Sequence, residues 1–186
     1  MMTSEEQQGG ASVLTANAFG GSDVLEILKQ HGWLDSGAEA SREQLTWCEK
    51  AAAMLGPHVT EREALGELLA LIFHYDAQEL FSRVESHVVL SRYAARDVLR
   101  QLALALLDGE PLTSDRFSTI ITELKASLDV SLRELFYPIR LCLAGREGEG
   151  ELDRVILLVD AAAALPFAVP VKSNHARILE FCSSLD

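Results

Sequence analysis

The chain has 186 residues, enough for one ordinary domain or two small subdomains with a real core. At 48% hydrophobic it is a folding sequence, which excludes a disordered chain. Its formal net charge of −12 argues against a generic nucleic-acid binder, which needs positive surface to displace counterions.

Leu and Ala dominate the apolar set and aromatics are only 6%, a balance that favours helices because these side chains lose little entropy there. Cys48, Cys142 and Cys182 are odd in number and form no C-x-x-C pair, so neither a disulfide framework nor a zinc site is indicated. The first residues carry no basic and apolar signal pattern. The longest apolar run, Val155 to Val171, is interrupted by Asp160, Pro166 and Pro170 and is too broken to span a bilayer. The expectation is a cytoplasmic chain with no membrane, DNA or cofactor partner.

Residues 1–21 are polar and small and read as a disordered leader. Ser22 reads as the cap of a short helix over Asp23–His31, closed by Gly32. Ser41 with Gln44 makes a capping box for a helix ending at Leu55 before Gly56-Pro57, and Thr60 with Glu63 makes a second. Leu65, Leu68, Leu69, Ile72 and Phe73 then recur with helical period. Asp76 with Glu79 opens a shorter helix to about Glu85, and Ser91 a long one that stops before Gly109.

The turn Asp108-Gly109-Glu110-Pro111 is the best internal boundary, dividing a first helical subdomain (22–109) from a second (110–186). Thr113 or Ser114 caps the next helix. An apolar segment around Pro138 follows, then a helix over Gly150–Leu165, a linker through Pro166 and Pro170, and a last helix over Asn174–Ser183. No run alternates long enough to read as a strand, so the fold is all-α, two small bundles sharing an interface.

His31, His58, His74, His87 and His175 lack metal-ligand spacing, and no catalytic constellation is visible, so the chain is expected to be no enzyme on its own. Gly145, Gly148 and Gly150 do not read as a phosphate cradle, because Glu147, Glu149 and Glu151 surround them with like charge. Arg92, Arg96 and Arg100 fall four apart on the Ser91–Asp108 helix and with Arg83 form the one basic cluster. They are either a solvated face partnered by acids such as Asp97 or a phosphate-contacting strip. Arg140, set between Ile139 and Leu141, is either forked onto a carboxylate or helix-end carbonyls, or aimed outward at a ligand. Pro138 either kinks a helix or begins one.

Leu135-Phe136-Tyr137-Pro138-Ile139-Arg140-Leu141-Cys142-Leu143-Ala144-Gly145-Arg146 resembles the Leu-Phe-x-Pro-Leu-Arg-x-Ala-Leu-Thr-Gly-Arg signature of the anticodon-binding region of bacterial glutamyl-tRNA synthetases. Collinear similarity extends over Gly32-Trp33-Leu34, Leu65 through Leu69, Ile72 through Asp76, and the closing Arg177-Ile178-Leu179. The resemblance implies the helical subdomains of these class I synthetases, an Arg140 placed near an anticodon, and Leu152 and Arg146 as neighbouring RNA contacts. It implies tRNA as partner, or action in trans beside a synthetase or another tRNA enzyme.

Nothing resembling the family's ATP and glutamate site is present in the sequence. Gly150 stands where the family has a proline, and Gly56-Pro57-His58 where some members carry a basic reader. These departures, together with the charge, set a second expectation beside the first. It is a repurposed protein-interaction scaffold with Leu165 to Val171 as an exposed contact segment.

Overall fold

In the computed structural model, which describes residues 16–185, the chain is all-helical, with ten α-helices and no strand among the described residues. In order they are α1 (Gly21–Gln30), α2 (Arg42–Leu55), a 3-10 turn (Gly56–His58), α3 (Arg62–Phe73), α4 (Ala77–Phe81), α5 (Val84–Leu90), α6 (Ala95–Ala105), α7 (Ser114–Ser127), α8 (Leu132–Ala144), α9 (Glu151–Ala163) and α10 (Asn174–Leu185). No helix among the described residues is long and apolar enough to cross a membrane.

Residues 1–15 of the expected leader lie outside the described residues. From there Asn17 reaches over the end of α2, its Nδ2 donating to the Ala52 carbonyl at 3.0 Å. A Cβ on Gly56 would meet the Asn17 side chain, so the glycine leaves room for that contact.

Caps place three of the helices where the sequence puts them. Ser41 and Gln44 form their reciprocal box, Asp76 accepts from the Gln78 and Glu79 amides, and Thr113 accepts from Arg116. Thr60 does not cap: α3 begins one residue later, with Glu61 at the cap position and no side-chain cap bond. The guanidinium of Arg62, at the first position of α3, pairs instead with Asp23 and Glu26 on α1. Ser22 is also inside its helix, since α1 starts at Gly21 with the Asp23 carboxylate accepting from the Gly20 amide.

The shorter helix expected from Asp76 to about Glu85 is instead α4 and the start of α5, and the long helix expected from Ser91 begins only at Ala95 and ends at Ala105. The chain turns through Ser91–Ala94 between α5 and α6, so Arg92 lies before α6, not on it.

The hydrophobic core is one cluster that runs through both halves of the chain. α8 packs on α5, α6 and α9, α9 on α2 and α3, and α10 on α4, α6 and α8. Each fully buried Leu, Ile or Phe in it is worth roughly 1.5–3 kcal/mol against exposure.

The apolar segment Leu165 to Val171 is a strap, not an exposed contact segment. Leu165, Phe167, Val169 and Val171 pack against the core while Pro166, Ala168, Pro170 and Lys172 face out. Inward and outward residues thus alternate along the strap. Phe167 stands edge-on to Trp47 (5.4 Å between ring centres) and Phe73 (5.1 Å). The Ala168 amide donates to the Trp33 carbonyl, and Gln44 donates to that of Pro166.

A buried arginine ties the C-terminal ends of α3 and α8 together. Arg177, with no exposed surface, donates from Nη1 to the Leu71 and Leu143 carbonyls, from Nη2 to Ile72 and from Nε to Lys172. Leu71, Ile72 and Leu143 lie in the last turns of their helices, where carbonyls lack intrahelical partners and the helix dipole favours a cation. The Tyr75 ring lies under the guanidinium at 4.6 Å, and its hydroxyl donates to the Cys142 carbonyl at 2.6 Å.

Candidate nucleic-acid interface

α8 is a single helix through Pro138, which rules out a fresh start at the proline. Ser131 and Glu134 form a capping box at its N-terminus, and Gly145 ends it in the left-handed conformation (φ +80°) that glycine adopts without strain. Arg83 donates to the Gly145 carbonyl at 3.3 Å. With both ends fixed, the side chain of Arg140 has a defined direction.

That direction is inward along the protein edge. Arg140 is 8% exposed. Its Nε and Nη2 each donate to one oxygen of Asp153 at 2.9 Å, the parallel two-point geometry in which guanidinium and carboxylate match best. Nη1 donates to the Gly148 carbonyl at 3.1 Å, and the guanidinium lies 4.6 Å over the Phe136 ring.

Asp153 sits in the first turn of α9, where the helix dipole favours a carboxylate. Of the two sequence alternatives for Arg140, the fork onto a carboxylate is the one found.

The acidic glycine loop serves this clasp. A Cβ on Gly148 would stand 2.8 Å from Leu152 Cδ1, so any larger residue there would have to displace the buried Leu152 side chain. Tyr137 donates to Glu149 at 2.8 Å, and that hydrogen bond pushes the Tyr137 hydroxyl pKa up. Arg146 lies 3.8 Å from Glu151.

Leu152 is fully buried in the core, so it supports the loop from beneath and offers no surface to a ligand as folded. Arg146 is 40% exposed at its side chain and lines a shallow pocket with Arg83, Glu85 and Glu147.

Beside the clasp, the 3-10 turn and helices α7, α8 and α9 border an open cleft of about 400 Å³. Its walls carry Phe117, Ile121, Phe136 and Leu157, with His58, Asp153 and the exposed Arg154 at the margin. Sequence reading singled out neither the cleft nor Arg154. Its one available signal was the Gly56-Pro57-His58 segment, whose His58 lines the same cleft.

The remaining candidates lie elsewhere. Arg92 is in the turn before α6, and its charge acts on Glu134. The carboxyl of Glu134 is held low first by Ser131 backbone and side-chain hydrogen bonds and additionally by Arg92. Arg96 and Arg100 line a groove between α6 and α10 with Leu99, Ala103, Cys182 and Leu185. Arg100 pairs with Asp97 at 3.4 Å, both largely exposed. Arg140 therefore has its own partners on α8, α9 and their loop, and the α6 arginines form a different surface.

No group of three or more His, Cys, Asp or Glu that could hold a metal occurs among the described residues. No curated protein and no solved structure matches the chain. The model of one family, described as the anticodon binding domain, matches residues 23–159, which include the 3-10 turn, α8, the Gly148 loop, Asp153 and the cleft they border. Over that span, well above half of the chain, the protein belongs to the anticodon binding domain family.

Proposed function

We propose that the chain is a non-catalytic tRNA-binding domain of the glutamyl-tRNA synthetase type, acting beside a synthetase or another tRNA enzyme. The observation that carries this reading is the family match over residues 23–159. The cleft supports it chemically. Unpaired loop bases are recognised by stacking on aromatic faces and by edge hydrogen bonds, and Phe136, His58 and Arg154 bring such groups to the cleft.

In this reading Arg140 is a positioning residue. It holds Phe136 and the Gly148 loop, and Arg154 and His58 face the RNA. The test is titration of fluorescent tRNA with the purified protein at low and moderate salt. Binding that weakens with salt, and that is reduced by Arg154→Ala or His58→Ala at unchanged melting temperature, is the expected result. No measurable affinity of the native protein at low salt sinks the proposal.

A second reading is favoured by one specific observation. Arg140 is committed to Asp153 within a chain of net charge −12, which suits a helical scaffold that has kept the fold and binds protein. Material purified from cells separates the two, because bound RNA absorbs strongly near 260 nm and a protein partner does not.

A further inference from the structure

Residues 83–100 invert the charge of the chain. They hold Arg83, Arg92, Arg96 and Arg100 against Glu85 and Asp97, while the chain as a whole is at −12. The three later arginines are all exposed and fall within nine residues at the start of α6. Arg92 lies in the Ser91–Ala94 turn, and its carbonyl accepts from the Ala95 amide at 3.2 Å as α6 begins. Arg96 and Arg100, one turn apart, share a face of α6, about 6 Å from one another along the axis.

All three are exposed, and neither Arg92 nor Arg96 is in an ion pair among the described residues. The α6 N-terminus adds its own positive partial charge.

Within the same turn stands Tyr93, 98% exposed. It buries nothing in the core. An exposed ring and exposed guanidiniums within nine residues are the groups that hold single-stranded nucleic acid, with phosphates on the cations and a base on the ring.

We propose that Arg92, Tyr93, Arg96 and Arg100 form a second RNA contact surface, separate from the Arg140 cleft, that takes a single-stranded or looped segment by backbone charge and base stacking on Tyr93. The proposal rests on the tRNA reading above for its choice of ligand. Charge complementarity selects a polyanion, and the exposed ring selects a polyanion that carries bases. An acidic protein would satisfy the arginines alone.

The experiment measures the affinity of the native chain, of Tyr93→Ala, and of the combined Arg92→Ala, Arg96→Ala and Arg100→Ala variant. The probes are tRNA, a short single-stranded RNA, heparin and an acidic peptide, across a salt series. These side chains are exposed, so the melting temperature is expected to hold.

The arginine variant is expected to flatten the salt dependence for single-stranded RNA by about two in log–log slope, three lost phosphate contacts at roughly 0.7 each. Tyr93→Ala is expected to weaken RNA about tenfold, as for loss of one stacked base, and to leave heparin unchanged. The proposal is overturned if the native chain binds tRNA and the arginine variant matches it in affinity and slope, and the tRNA reading then stands. It is also overturned if Tyr93→Ala weakens heparin as much as RNA, or if the arginine variant loses the acidic peptide and keeps RNA. A native chain with no affinity for any RNA removes both readings together.

Discussion

Arg140 and Asp153 are joined by two parallel hydrogen bonds of 2.9 Å across the glycine loop, so the arginine of the sequence motif acts as a clasp between α8 and α9. Removing one partner leaves the other largely desolvated. Breaking such pairs costs roughly 3–5 kcal/mol when both ions are buried.

Arg140 is nearly buried and the Asp153 side chain is 22% exposed, so Arg140→Ala is expected to cost less, about 2–3 kcal/mol, in chemical denaturation. Arg140→Met with Asp153→Leu is expected to recover most of that loss, because a well-packed apolar pair needs no counter-ion. If the double variant also keeps tRNA affinity, Arg140 is not the reader. If stability recovers and affinity is lost, it is.

Arg177 should be the least replaceable side chain in the fold. It satisfies carbonyls from α3, α8 and the strap at once, and burial draws its pKa down to about 10. Arg177→Lys supplies one nitrogen where three are used, and leaves several buried carbonyls without donors. Each such orphan costs about 1–3 kcal/mol. A fall in melting temperature of about 10 °C or more is expected, at roughly 2–4 °C per kcal/mol for a chain of this size. A drop of only a degree or two would mean that water replaces the guanidinium freely.

These two arginines also mark where sequence reading stops. Helix starts were legible at Ser41, Asp76 and Thr113, because a cap is a local chemical event, although the Ser131–Glu134 box that opens α8 was passed over for Pro138. The bounds of α5 and the start of α6 at Ala95 were not legible, since neither helix has a side-chain cap and Ser91–Ala94 contains neither glycine nor proline. The partner of Arg140 was one of several acidic residues beyond Gly145, and nothing in their order selects Asp153.

Arg177 was harder still. Its acceptors are backbone carbonyls, which every residue carries, and those of Leu71 and Ile72 are more than a hundred residues away in sequence. The strap did leave a signal in Leu165, Phe167, Val169 and Val171, but the prolines between them read as a linker.

Phe167 fastens that strap over α2 and α3 through Trp47 and Phe73. Phe167→Ala removes a ring that contacts two others, and a loss of about 2–3 kcal/mol is expected, below the 3–5 of a fully buried Phe because the residue is half-buried. The strap is also expected to become the first site of limited proteolysis. Unchanged cleavage would show that the backbone bonds from Ala168 to Trp33 and from Gln44 to Pro166 hold it without the ring.

Three buried acids set the alkaline limit of the fold. Burial, with a smaller contribution from the Glu49 charge, pushes the Cys48 thiol from an ordinary 9.0 up to about 11. Burial likewise raises Cys142 and Tyr75, with further charge interactions including one between Tyr75 and Cys142. The folded chain keeps protons that the unfolded chain releases, so this stabilisation is complete below about pH 9 and is lost as the pH rises through the folded values.

The melting temperature is therefore expected to hold from neutral pH to about pH 9 and to fall above it, less steeply in Cys48→Ala. Near pH 8 a thiol reagent should reach neither Cys48 nor Cys142 in the native protein, since both lack thiolate and exposure, and both should react once it is unfolded. Rapid labelling of Cys48 in the native state would show that α2 opens from the core on the time scale of the reaction.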